Sequence, residues 1–214
     1  MEKVWLKRYP KGVPAEIDPD RLGSLVALLE EACRKFADQP AFTSFGTTVT
    51  FAGFDSAARD FAAFLQKDLG LARGDRVAVM LPSLLQYPVA MFGILRAGLV
   101  VTNVNPLYTS RELANQLNDA GAETILIFSA STPALAEIVD DTSIKTAIVT
   151  KLDDLLERPI PSADADARLA AKTVSFKDAL ARGRELSFEP VEVRGEDLAF
   201  LQYTARQGSP KAPC

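Results

Sequence analysis

The stretch from Gly74 to Thr150 constrains the fold more than any other part of the chain. Four short apolar runs, VAVML (77–81), VVTNV (100–104), TILIF (124–128) and TAIVT (146–150), are continuous rather than alternating. Such runs belong to strands covered on both faces, as in parallel sheets. Helix-length segments separate them. LQYPVAMFGILRAG reads as a helix with Pro88 in its first turn, where a missing N–H is tolerated, Arg96 in its last turn and Gly98 just past it. Thr109-Ser110-Arg111-Glu112 is a capping box that starts a helix ending at Gly121. A short helix is expected from Pro133 to about Asp140. This alternation predicts an α/β fold, a mostly parallel sheet with helices on both faces.

The flanks read less regularly. Residues 1–20 form an arm rich in Pro and Lys. Ser24 caps a helix to about Ala37, with Leu25, Leu28, Leu29, Ala32 and Phe36 on one face. AFTSFGTTVTF suggests a hairpin around Gly46. Thr50 then caps a helix through about Asp68, striped by Phe54, Ala58, Phe61 and Leu65 and stopped by Gly70. Beyond the fourth run, 151–172 is polar and its ERPIPSADADAR portion reads as an exposed loop. SFKDALAR (175–182) reads as a short helix and DLAFLQYT (197–204) as a final strand. Periodic apolar positions of this kind are core and say nothing about a ligand.

Composition removes several chemistries. The chain has 214 residues, a net charge of −4, two cysteines (Cys33 and Cys214) and no histidine. That balance gives no nucleic-acid footprint. The two cysteines make no disulfide framework or zinc cluster, and the missing histidine rules out Ser-His-Asp and Cys-His machinery within these residues. MEKVWLKRYPKGVP lacks the apolar centre of a signal peptide. YPVAMFGILRAGLVV is interrupted by Arg96 and glycines, short of the ~20 apolar residues of a membrane span. A soluble, cytoplasmic protein is expected. Lys7, Arg8 and Lys11 near Trp5 and Tyr9 can meet anionic lipid at the membrane periphery, although arms more commonly pack on their own domain. The sequence is compatible with a homo-oligomer.

Few residues carry candidate chemistry. Asp75 after Gly74 reads as a turn residue. Asn103 and Asn105, beside Pro106 and Tyr108, sit at a strand's carboxyl end, where a turn role is favoured over ligand contact. Asp140-Asp141 and Asp153-Asp154 look solvated. At the end, the strand DLAFLQYT runs into ARQGSPKAP. A loop of backbone N–H groups surrounds a phosphate only where side chains are small, with a Lys to neutralise charge. One glycine and the Arg206-Gln207 pair make this a weak phosphate loop.

The longer pattern is more specific. GDRVAVMLPSLLQYPVAMFGILRAGLVVTNVNPLYTSRELANQLNDAGAE, YPKGVPAEID near the start and EDLAFLQYT near the end closely resemble the adenylate-forming, AMP-binding superfamily, in particular its bacterial long-chain fatty-acid–CoA ligases. The resemblance covers nearly all of residues 1–204, with Ser110 where the family often has Pro. It implies a partial AMP-binding N-terminal domain at 21–204, behind the arm at 1–20. It also implies a reaction joining fatty acid, ATP and coenzyme A into acyl-CoA, AMP and pyrophosphate through an acyl-adenylate, with Mg²⁺. In that family Tyr-Thr is followed by a loop of the form YTGGTTGxxKGA around the ATP phosphates. Tyr203, Thr204, Gly208 and Lys211 are then the remnant of that loop. The Mg²⁺-binding acid, catalytic lysine and most of the fatty-acid pocket are expected at or beyond position 204. No catalytic or metal-binding residue is assigned here, and the chain alone is expected to be inactive, with no good binding of ATP or Mg²⁺.

Residues 205–214 diverge from the family loop. They can be encoded GCA CGA CAG GGG TCA CCA AAG GCG CCA TGC, then TGA. Two bases later the same letters read TTGVTKGAML, a good continuation of the loop. A frameshift after Thr204 is therefore expected, against natural divergence or a true terminus. A reading of another class is a non-catalytic α/β domain that binds a ligand or partner through its parallel sheet.

Overall fold

Each of the four apolar runs becomes a strand in the computed structural model, which describes residues 3–18 and 23–204. After a 3₁₀ turn at Val4–Arg8 come α1 (Leu25–Lys35), the antiparallel hairpin β1 (Pro40–Ser44) and β2 (Thr47–Thr50), and α2 (Phe51–Ala63), which continues as a π-helical turn, Phe64–Asp68. Ser24 and Thr50 cap α1 and α2 as expected, accepting from the amides of Ala27 and Gly53. There follow β3 (Arg76–Met80), α3 (Gln86–Arg96), β4 (Val100–Asn103), α4 (Ser110–Ala120), β5 (Thr124–Phe128), α5 (Thr132–Ala136), β6 (Thr146–Thr150), β7 (Thr173–Ser175), α6 (Phe176–Arg184) and β8 (Phe200–Gln202). β3 to β8 form one sheet in the order β7-β6-β5-β3-β4-β8, with every pair parallel.

Both faces of this sheet are covered, which accounts for the continuous apolar runs. Val77, Val79, Val101, Leu126 and Ile148 pack with residues of α1, α2, α3 and α6. Their strand neighbours Ala78, Met80, Ile125, Ile127, Ala147 and Val149 pack with Leu113 and Leu117 of α4 and Leu135 of α5. The capping box forms: Glu112 accepts from the Thr109 amide at 2.9 Å, the Glu112 amide reaches the Thr109 hydroxyl at 3.4 Å, and Gly121 ends α4 at φ +61°. Asp75 takes its turn role, accepting from the Ala72 amide at 2.8 Å.

Several local expectations are corrected. The helix from Pro133 does not reach Asp140. The chain leaves helical geometry at Ile138 (φ −129°) and tightens into a 3₁₀ turn at Val139–Asp141 that buries Val139. The last strand is shorter than 197–204, because Asp197 is drawn into a separate turn. Its carboxylate accepts from the Arg194 amide at 2.8 Å and pairs with Arg73 at 2.6 Å. β7 was hidden in the sequence by its three-residue length. Asp154 is not solvated: its side chain is 7% exposed and accepts from the Thr150 hydroxyl and the Lys151 amide, both at 2.8 Å.

Arg96 is the largest surprise. A last-turn cation ordinarily faces water, yet this side chain is 1% exposed. Its guanidinium lies 4.0 Å from the centre of the Phe92 ring and donates to the Asp55 carboxylate and, at 3.2 Å, to the Asp55 carbonyl. Nε is 3.3 Å from Glu30 Oε1, an ion-pair distance without hydrogen-bond alignment. This cluster ties α1, α2 and α3 together.

Two glycines set how closely helices approach α2. A Cβ on Gly93 of α3 would lie 2.9 Å from the Ala58 carbonyl oxygen. On Gly183 of α6 it would lie 1.8 Å from the Asp60 carbonyl oxygen, well inside van der Waals contact.

Candidate functional site

In an open parallel sheet, ligands bind outside the carboxyl ends of neighbouring strands whose connections leave to opposite faces. Here the strand order reverses between β5 and β3. β3 leads into α3 on one face, and β5 into α5 on the other, while β4 lies on the far side of β3. Next to β4 lies β8, whose carboxyl end delivers Tyr203 and Thr204 to the same edge.

A chain of neutral hydrogen bonds crosses this edge. The Tyr87 hydroxyl donates to Asn103 Oδ1 at 3.0 Å, and Asn103 Nδ2 donates to Gln202 Oε1 at 3.0 Å. Gln116, 4% exposed on α4, donates to the Asn103 carbonyl at 2.7 Å, while its own Oε1 is buried without a hydrogen-bond partner among the described residues. Asn103 is thus neither a turn residue nor free for a ligand; it is a strut between β4 and β8. Asn105 does take the favoured turn role, accepting from the Leu107 amide at 3.0 Å.

Of the four residues expected to form the loop remnant, two can be placed. Tyr203 donates its hydroxyl to Asp119 Oδ2 of α4 at 2.6 Å. Burial pushes its phenol pKa up, partly offset by the positive charge of Arg76. Thr204 is exposed beside it. Gly208 and Lys211 lie outside the described residues, as does the whole 205–214 stretch.

Asn103, Gln202, Tyr203 and Thr204 offer amides and hydroxyls but no cation to a polyphosphate. Among the described residues there is also no group of three or more carboxylate or thiol ligands able to hold a metal ion. The described part of the edge therefore offers neutral hydrogen-bonding groups and no anion-binding floor. Nearby, an open groove of about 470 Å³ between the β1–β2 hairpin and α3 is lined by Phe42, Leu81, Leu85, Met91 and other uncharged residues, a surface suited to apolar matter.

Sequence reasoning missed Gln116 and Gln202. The available signal was Gln116 itself, a polar residue within the apolar stripe of Leu113, Leu117 and Ala120. Gln202 gave none, because its role depends on the pairing of β8 with β4 across about a hundred residues.

Residues 29–205 match the family of AMP-binding enzymes, and the match ends one residue past Thr204. The chain belongs to that family. Among curated relatives, the long-chain-fatty-acid–CoA ligase of Salmonella typhimurium is 50% identical over 214 residues, covering 95% of this chain and 38% of the relative. That of Bacillus subtilis is 35% identical over 159 residues, covering 74% and 28%. The chain thus spans about 38% of the length of the more similar relatives. Among solved structures, a long-chain-fatty-acid-CoA ligase from Archaeoglobus fulgidus superposes with a TM-score of 0.70 at 23% identity, covering 92% of this chain and 37% of that one. An anthranilate CoA ligase also gives 0.70 at 20% identity, covering 92% and 33%. These likenesses support the fold seen here, an all-parallel sheet with helices on both faces.

Proposed function

We propose that residues 1–204 are the N-terminal part of a long-chain-fatty-acid–CoA ligase, which joins fatty acid, ATP and coenzyme A through an acyl-adenylate. The observation that carries this is the arrival of Tyr203-Thr204 at the carboxyl edge of the sheet whose strand order reverses at β5/β3, in a chain half identical to ligases of that name. In this reading the chain's own residues act by positioning. The Tyr87–Asn103–Gln202 strut fixes the spacing of β4 and β8, and the Tyr203–Asp119 bond sets the direction in which the backbone leaves the sheet toward the phosphates. A magnesium ion would neutralise polyphosphate charge in the complete enzyme. No group of three or more ligands among the described residues fits it.

The purified 214-residue chain is expected to show no MgATP binding at sub-millimolar concentrations by calorimetry, and no fatty-acid-dependent pyrophosphate release. Arg206 and Gln207 put bulky side chains where a phosphate loop needs bare backbone. A chimera joining residues 1–204 to the remainder of the Salmonella typhimurium ligase is expected to regain that activity with long-chain acids. A folded but inert chimera would overturn the proposal, and ATP binding by the chain alone would overturn the expectation that its phosphate loop does not work. Residues 205–214 are read as out-of-frame translation. The DNA after codon 204 is expected to encode ligase-like sequence in another frame, and its absence there would remove that part of the reading.

A further inference from the structure

The arm does not behave as arms usually do. Among residues 3–18, all but Leu6 are exposed, and none belongs to either core cluster. Val4, Trp5, Tyr9, Val13 and Ile17 are 59%, 48%, 43%, 50% and 88% exposed. Close spacing of this many large apolar side chains in water calls for a covering surface.

The charge pattern selects which one. From Lys3 to Ala15 there is no acidic residue, and Lys3, Lys7, Arg8 and Lys11 are interleaved with Val4, Trp5 and Tyr9, although the chain as a whole carries −4. The first acid after this stretch, Glu16, pairs with Lys3. Pro10, Gly12 and Pro14 limit regular structure to the single 3₁₀ turn Val4–Arg8, so the arm has no helix with which to penetrate deeply. Tryptophan and tyrosine favour the headgroup level of a bilayer, and nearby Lys and Arg are attracted to anionic headgroups.

We propose that residues 3–18 form a shallow contact site for an anionic lipid surface, with Trp5 and Tyr9 seated at headgroup depth and Lys7, Arg8 and Lys11 on the lipid phosphates. The site acts independently of ATP and of the ligase reading. It is reversible, because one short arm lacks the buried area of a stable anchor.

Trp5 is the sole tryptophan of the chain, so its emission reads the arm alone. With the full chain, vesicles of phosphatidylcholine and phosphatidylglycerol are expected to shift Trp5 emission to the blue, with quenching by brominated lipid. High salt should reverse both effects. The triple variant Lys7→Gln/Arg8→Gln/Lys11→Gln should bind these vesicles about a hundredfold more weakly. Its far-UV circular dichroism should match the parent, because the arm contributes nothing to the core. No shift with anionic vesicles, or an equal shift with phosphatidylcholine alone, would overturn the proposal. So would a concentration-dependent shift without vesicles, which would assign the arm to a second copy of the chain.

Discussion

Gly183→Ala is expected to destabilise the protein by about 3 kcal/mol, read as a lower urea midpoint at unchanged slope. Helix propensity alone predicts the opposite sign, since alanine in a helix interior is favoured over glycine by about 1 kcal/mol. Geometry decides between them. The new methyl would sit 1.8 Å from the Asp60 carbonyl oxygen, a backbone atom that cannot rotate away. α6 would have to lift from α2, disturbing Phe176 against Phe61, whose ring centres are 5.3 Å apart, and the ion pair of Arg184 with Asp60. The matching control is Gly53, also helical, where a Cβ meets its nearest neighbour at an ordinary 3.4 Å. Gly53→Ala is expected to be neutral or to stabilise by up to about 1 kcal/mol. Equal effects at the two glycines would refute this account of the α2–α6 contact.

Asp55→Ala is expected to cost about 3–5 kcal/mol, the range for stranding one partner of a buried pair. It leaves the Arg96 guanidinium 1% exposed, with the residue-55 backbone carbonyl at 3.2 Å, Glu30 at 3.3 Å and the Phe92 ring for compensation. Glu30→Ala should cost less than about 1 kcal/mol, because that carboxylate is 43% exposed and screened by water. Arg96→Met should fall between, since the Asp55 side chain is 26% exposed and can be rehydrated. The double variant Asp55→Ala/Arg96→Met should be more stable than Asp55→Ala alone, the stranded charge having been removed. Additive costs in that cycle would mean that Asp55 contributes through packing rather than charge.

What the sequence made legible follows from range. The strands at 77, 100, 124 and 146, the caps at Ser24, Thr50 and Thr109, and the stop at Gly121 depend on neighbours within a few residues, and each is where local pattern put it. Arg96 ends α3 as its position suggested, but its burial was not legible, because its partners lie on α1 and α2, 66 and 41 positions away, and nothing near it in sequence announces them. Asp154 was missed for another reason: its partners are only three and four positions away, but a pair of aspartates reads as solvated until the turn after β6 folds one of them onto Thr150 and Lys151. Of the candidate site, Tyr203 and Thr204 were proposed from the family pattern, while the strut beside them rests on strand register. Register between β4 and β8 is a property of the assembled sheet.

β8 is three residues long and only half-buried, and among the described residues nothing pairs with its outer side. It neighbours β4 although almost a hundred residues of other structure intervene between them. Such a strand can dock only once its platform is laid, and it is held by few bonds. In native-state hydrogen exchange, the amides joining β8 to β4 should open well before those between β3 and β5, which share a fully buried apolar seam. Each opening event separates Gln202 from Asn103, so the rim of the ligand edge is renewed at every such fluctuation while the interior of the sheet stays closed.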